Sequence, residues 1–226
     1  MSIYRSIANR DADALAAAIA SGEDVHKPAY GGNTHLHWAA ERGFGEGIAM
    51  LVKEGADPNV VNDRGDSPLM KAIINRSPSA TVELLKANAN PETPNKRGAT
   101  PLNWLVNMNA SGSVTMTRIV VVDGVETEEP VDMSPQAEAA RQTLQALLEG
   151  GANPNGTDNM GMGALACAAG SNHLDFARLL LAAGADPNHG TEAWMLPINC
   201  AREGGHEEMI ALLIENGAAP SEGEQS

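Results

Sequence analysis

Aromatic side chains are scarce in this chain, at 3% of 226 residues, although apolar residues together reach 42%. A core of that kind must be built from alanine, leucine and other aliphatics, which suits thin helices packed closely together. Long apolar runs are missing too. No stretch approaches the ~18 consecutive apolar residues that suggest a membrane span, so no membrane partner is expected. The segment Ala14-Leu15-Ala16-Ala17-Ala18-Ile19-Ala20 could pass for the core of a signal peptide, but Asp11 and Asp13 stand where such a leader carries positive charge. Positive charge is the third deficit: 15 Lys and Arg face 29 Asp and Glu, for a net charge of −14. Nucleic-acid binders usually show a basic footprint, so nucleic acid is not expected as the partner. An acidic exterior keeps a protein soluble and steers it towards basic partners.

What is present is rhythm. Gly55-Ala56-Asp57-Pro58-Asn59 returns as Asn88-Ala89-Asn90-Pro91, Gly151-Ala152-Asn153-Pro154-Asn155, Gly184-Ala185-Asp186-Pro187-Asn188 and Gly217-Ala218-Ala219-Pro220. The intervals are 33, 63, 33 and 33 residues, and a degenerate copy, Gly22-Glu23-Asp24-Val25-His26, lies 33 before the first. A fixed period of that size means stacked supersecondary units, one of them enlarged. The two cysteines, Cys167 and Cys200, are also 33 apart and so occupy equivalent positions. Neighbouring helices pack about 8–10 Å apart, beyond the ~5.5–6 Å Cα spacing of a disulfide. Free, buried thiols are expected, in a reducing, cytoplasmic setting.

A second motif keeps the same beat. It reads Gly32-Asn33-Thr34-His35-Leu36-His37-Trp38-Ala39-Ala40, Gly65-Asp66-Ser67-Pro68-Leu69-Met70-Lys71-Ala72, Gly98-Ala99-Thr100-Pro101-Leu102-Asn103-Trp104, then Gly161–Ala169 and Trp194–Ala201. Its chemistry is structural. Thr34, Ser67 and Thr100 are suited to cap a helix, with Pro68 and Pro101 at the first helical position. A second helix should then end at the glycine of the next Gly-Ala-Asp-Pro-Asn, whose Asp-Pro-Asn is turn chemistry.

These residues resemble the ankyrin repeat family, with its Gly-x-Thr-Pro-Leu-His-x-Ala-Ala helix and Gly-Ala-Asp-x-Asn finger. The resemblance covers essentially the whole chain. It implies an all-α repeat solenoid of stacked helix-turn-helix units with short hairpin fingers. Six repeats are expected in one domain, residues 1–220: 1–31, 32–64, 65–97, 98–160, 161–193 and 194–220, with 221–226 a disordered tail. The first repeat lacks the Thr-Pro-Leu signature, as a capping unit may.

The enlarged fourth repeat holds an insertion at about 109–133. Its run Val114–Val122 is rich in β-branched residues, Asp123-Gly124 is a hairpin turn, and Val125–Val131 forms a returning strand. A β-hairpin is therefore predicted, either as surface decoration or as a recognition element. Neighbouring helices, a second copy of the chain or a partner would cover its apolar stretch.

No residues point to catalysis or to a metal. There is no His-Glu-x-x-His, paired Cys-x-x-Cys or phosphate-binding glycine loop. Of the six histidines, His37 matches the Thr-Pro-Leu-His position and His173 and His206 open second helices, so their roles read as structural. No catalytic, cofactor or metal residues are assigned.

The resemblance instead implies binding of another protein through fingertips and the exposed side of the first helices. Carried over by position, that surface includes Tyr30, Asn33, Arg42, Arg64, Asp66, Lys96, Arg97, Met160, Met162, Trp194 and Met195. Arg118, Ile119 and Val121 join it if the hairpin takes part. Arg64, Lys96 and Arg97 form a cationic cluster beside an apolar patch of Met160, Met162, Trp194 and Met195. Trp194 stands at a glycine position, which leaves its ring either exposed or buried under the last helix. Trp38 and Trp104 are expected in the core. The chain is expected to act as a monomer, with a hairpin-mediated homodimer as the alternative. An immunity protein against a basic toxin, and an adaptor or secreted effector, are the alternative roles.

Overall fold

The computed structural model describes residues 2–28, 30–109, 116–122, 125–131 and 135–219; the side chains of Tyr30 and of 116–131 fall outside that description, as does the tail 221–226. Helices occur in consecutive antiparallel pairs: α1 (Ile3–Asn9) with α2 (Ala12–Ala20), α3 (His35–Glu41) with α4 (Gly45–Lys53), and α5 (Pro68–Ile74) with α6 (Pro78–Lys86). Next come α7 (Pro101–Asn109) with α8 (Pro135–Glu149), α9 (Ala164–Gly170) with α10 (Leu174–Ala182), and α11 (Pro197–Glu203) with α12 (Glu207–Glu215).

Capping sets the start of these short helices. The Ser67 hydroxyl accepts from the Met70 amide at 3.2 Å, and the Thr100 hydroxyl from the Asn103 amide at 3.3 Å. Proline fills the first position of α5, α6 and α11, where a missing N–H costs nothing. The stops are equally local. Gly22, Gly55, Gly151, Gly184 and Gly217 follow the second helices with φ between 87 and 93°, a conformation glycine adopts without strain. The third unit has Asn88 there instead, at φ 62°, and asparagine is among the few residues that tolerate it.

The first helices stack on one another in the order α1, α3, α5, α7, α9, α11, and the second helices α2, α4, α6, α8, α10 form a parallel layer behind. Between the layers, Leu36, Leu69, Leu102, Leu165 and Ile198 are buried, as are Ile48, Leu84, Leu147, Leu180 and Leu213 from the second helices. Burial of each such side chain contributes about 1.5–3 kcal/mol, and the contribution repeats unit by unit.

Consecutive units are also stitched by the last residue of the Gly-Ala-Asp-Pro-Asn motif. Asn59 Nδ2 donates to the Asn88 carbonyl (3.2 Å) while its Oδ1 accepts from the Asn90 amide (2.7 Å). Asn155 does the same to Gly184 and Asp186, and Asn188 to Gly217 and Ala219. Where the motif has Glu92 instead, its carboxylate accepts from the Asn153 amide at 2.9 Å, bridging the enlarged unit.

Within the insertion, β1 (Met116–Val122) pairs antiparallel with β2 (Val125–Val131), with Ile119 opposite Glu128 and Val122 opposite Val125. The predicted turn Asp123-Gly124 lies outside the described residues.

Candidate functional site

Three of the fingers are each closed by one side chain. Asn62 Oδ1 accepts from the amides of Arg64 (2.9 Å) and Asp66 (3.0 Å), and Asn95 Oδ1 from those of Arg97 and Ala99. Asp158 Oδ1 takes the amides of Met160 (2.9 Å) and Met162 (3.0 Å). These three positions keep the 33 and 63 spacing. The next in the series is Thr191, which has no carbonyl or carboxylate oxygen to offer. Its hydroxyl instead contacts Met195 Sδ at 3.1 Å, and the chain runs through a 3-10 turn, Ala193–Met195. Gly32, Gly65, Gly98 and Gly161 all have φ above 70° at the position that Trp194 fills in this last finger. A large L-residue is strained there, so the finger changes course, Met195 turns inward (5% exposed) and Trp194 stands out (55% exposed).

The first helices contribute one stripe to the same side. Trp38, Lys71, Trp104, Cys167 and Cys200 occupy the equivalent position of α3, α5, α7, α9 and α11, and all five are half-buried. Both tryptophans and both thiols pack against the core as expected, but none of the four is fully buried. The Lys71 ammonium pairs with Glu41 at 3.1 Å. The Arg97 guanidinium lies over the Trp104 ring, 5.8 Å from its centroid, a cation–π contact. Tyr4 meets Trp38 edge-to-face at 5.4 Å.

Two hollows open along this face and share Asn107. One of about 350 Å³ is lined by Arg97, Ala99, Trp104, Asn107, Met108, Asp158, Asn159 and Met160. The other, about 390 Å³, has Met162, Cys167, Trp194, Cys200 and Glu203 among its walls. The insertion leaves α7 at Asn109, directly after the lining residues Asn107 and Met108. A further hollow lies on the second-helix side, against Glu46, Pro78, Val82 and Gln142, away from the fingers.

The proposed binding residues divide accordingly. Arg97 and Met160 line the first hollow, and Met162 and Trp194 the second. Arg42, Arg64 and Lys96 are exposed, and the Lys96 ammonium donates to the Asp63 carbonyl of the preceding finger. Asn33 is engaged, its Oδ1 accepting from Asn62 Nδ2 at 2.9 Å. Asp66 and Met195 are taken off the surface. Tyr30 begins a 3-10 turn, and Arg118, Ile119 and Val121 belong to β1, but their side chains lie outside the described residues. Residue type alone does not reveal that Trp104, Cys167 and Cys200 face the groove as well as the core. A signal against full burial is there: Lys71 holds the same position, and lysine is rarely fully buried.

The titratable groups are spent on structure. His37 is buried, with Nδ1 accepting from the Thr34 amide at 3.1 Å and Nε2–H donating to the Asp66 carbonyl at 2.9 Å. Burial holds its pKa below the ordinary value, with the Asp66 carbonyl pulling the other way. His173 Nε2–H donates to the Asn109 carbonyl and His35 Nδ1–H to that of Val25. Burial pushes the Cys167 thiol up to about 12, aided by Asp158, and raises that of Cys200 too. Both cysteines are free. Thiols held protonated are poor nucleophiles. Among the described residues no group of three or more His, Cys, Asp or Glu is placed to hold a metal ion.

A family model described as ankyrin repeats (3 copies) matches residues 36–129, 110–191 and 133–224. The chain belongs to the ankyrin repeat family. Solved ankyrin structures agree in fold. An ankyrin repeat domain from Acinetobacter baumannii AYE superposes with a TM-score of 0.74 at 24% identity, over 96% of this chain and 98% of that one. The human ASB11 ankyrin repeat domain gives 0.71 at 22% identity, over 97% of this chain and 85% of that one. At these identities the likeness carries the fold alone, and it concerns the helical array; it lends the hairpin no support. No curated protein matches the chain. Ankyrin repeats generally serve as protein–protein interaction modules and are typically non-catalytic scaffolds. Among the described residues no helix is long and apolar enough to cross a membrane.

Proposed function

We propose that this ankyrin chain is a non-catalytic module that captures another protein in the groove formed by α7, α9, α11 and the fingers beside them. One observation carries the reading. Met160 (73% exposed) and Trp194 (55% exposed) are the two most exposed large apolar side chains among the described residues, and each stands on the wall of one of the adjoining hollows. Exposed apolar surface gathered in one place marks interaction sites. Arginine, methionine and tryptophan, all present here, are the types enriched in interfaces. The hairpin, leaving from the groove's edge, would act as a second contact. The thiols suit a reducing, cytoplasmic setting, with the chain working as a monomer.

A narrower role as an immunity protein that blocks a basic toxin draws its support from the net charge of −14. An adaptor or effector role would need a second binding face, for which the hollow between α4, α6 and α8 is available.

Affinity capture from the native host, compared across variants, tests the groove. Trp194→Ala and Met160→Glu should each reduce recovery of the captured protein at least tenfold with an unchanged thermal midpoint. Ile214→Glu, at an exposed site on α12, should capture like the parent chain. Equal capture by all three moves the site out of the groove. Deleting 112–130 asks the same of the hairpin.

A further inference from the structure

The groove has an electrical direction. At its third- and fourth-unit end, Arg64, Lys96 and Arg97 are exposed in consecutive fingertips. Among the described residues none of the three sits in an ion pair. The nearby acids present less carboxylate surface than the three cations present charge. Asp66 is buried, and Asp158 already accepts two amides through Oδ1. Asp63, next to Arg64, is exposed. At the sixth-unit end the balance reverses. Glu203 lines the second hollow and is exposed, Glu192 is exposed on the finger beside it, and no lysine or arginine lines that hollow. Between the two ends lie the apolar walls of Trp104, Met108, Met160, Met162 and Trp194.

On a chain of net charge −14, a cationic end beside an apolar hollow selects its occupant. We infer that the groove takes an extended peptide segment of the partner carrying two apolar anchors, one per hollow, with a carboxylate-rich flank over Arg64, Lys96 and Arg97. This rests on the groove reading above and names the chemistry of the partner at that site. The hollows belong to successive units, and helices of successive units pack about 8–10 Å apart. An extended chain rises about 3.3 Å per residue, which sets the anchors about three residues apart. The Arg97 guanidinium, resting on Trp104, is the link between the two features. It forms part of the first hollow and presents its charge to whatever flanks the anchor there. Methionine side chains at both rims give the adaptable apolar contact that such a segment needs.

The test uses the full chain and three fluorescein-labelled peptide families, each with two leucines three residues apart. The flank is three glutamates, three lysines or three serines, placed in turn before and after the anchors. Fluorescence polarisation at low salt should give at least tenfold tighter binding for a glutamate flank than for a lysine flank, with serine between. Raising the salt should shrink that gap. Arg97→Glu should shrink the gap between the glutamate and lysine families several-fold, and Trp194→Ala should weaken all three families alike. Tighter binding of the lysine family overturns the inference and favours a basic partner. Binding indifferent to the flank, or a gap unmoved by Arg97→Glu, overturns it as well. No binding by any family also overturns it, while the groove reading stands or falls separately on protein capture by the Trp194 and Met160 variants.

Discussion

The fingers leading into the third and the sixth units are built on the same plan and end differently. In the third, Asn62 closes the tip on two backbone amides, Gly65 supplies the left-handed residue, and Asp66 is drawn inward. In the sixth, Thr191 and Trp194 hold the corresponding positions, the closure is replaced by a hydroxyl–thioether contact, and an indole is left in solvent. The regular finger spends its polar groups on itself and is finished as a structure. The irregular one gives up that local satisfaction and gains an exposed apolar side chain beside a hollow. Departures from a repeat are where function is to be sought, because the repeat itself is already explained by stability.

The comparison can be broken at several depths. Leu69→Ala removes a fully buried anchor between the helix layers and should destabilise the stack by about 2–5 kcal/mol, read by urea denaturation. A smaller loss would mean that units relax more independently than continuous packing implies. Asn62→Ala leaves two amides without their acceptor and should cost about 1–3 kcal/mol. The matching Thr191→Ala should shift stability by less than about 0.5 kcal/mol. Equal costs would erase the distinction between the two fingers.

Acidification should fall on the regular end. His37 is buried neutral with a depressed pKa, so the unfolded chain takes up its proton first. Its stabilising contribution is complete above the unfolded value of about 6.5 and is lost as pH falls from there through the folded pKa. Denaturation midpoints followed from pH 7.5 to 5 should drop, and His37→Gln should flatten that slope; an identical slope would remove His37 as the cause. The mildest effect is expected at the other end. With Cys167 pushed up to about 12 and Cys200 raised, a thiol reagent at pH 8 should label the folded chain far more slowly than the unfolded one, and Cys167 more slowly than Cys200. Labelling of the folded chain as fast as the unfolded one would contradict protonated, half-buried thiols.

The helix pairs were readable because each carries its own start and stop in sequence: Ser67-Pro68 opens α5 and Gly184 ends α10. The unit-to-unit clasp was readable in principle too, since Asn59, Asn155 and Asn188 recur at the motif's last position, although turn chemistry alone does not say what their side chains bond. The site was only half legible. A residue type specifies burial poorly at a helix face shared between core and groove, and so Trp104, Cys167 and Cys200 read as core. Met195 and Trp194 were assigned to one patch because their exchange of roles depends on the backbone's course, which follows from Thr191 and the lost glycine together. The hairpin's strands follow from β-branched residues, but what its side chains touch does not follow from any local signal.

Under the proposed function the partner lies in the groove of the last three units. Amide hydrogen exchange on the complex with the captured protein measures it directly. Protection concentrated in 96–108, 158–167 and 193–204, with α4 and α6 unchanged, is the predicted footprint. Protection centred on α4, α6 and α8, with those segments exchanging as in the free chain, would contradict it.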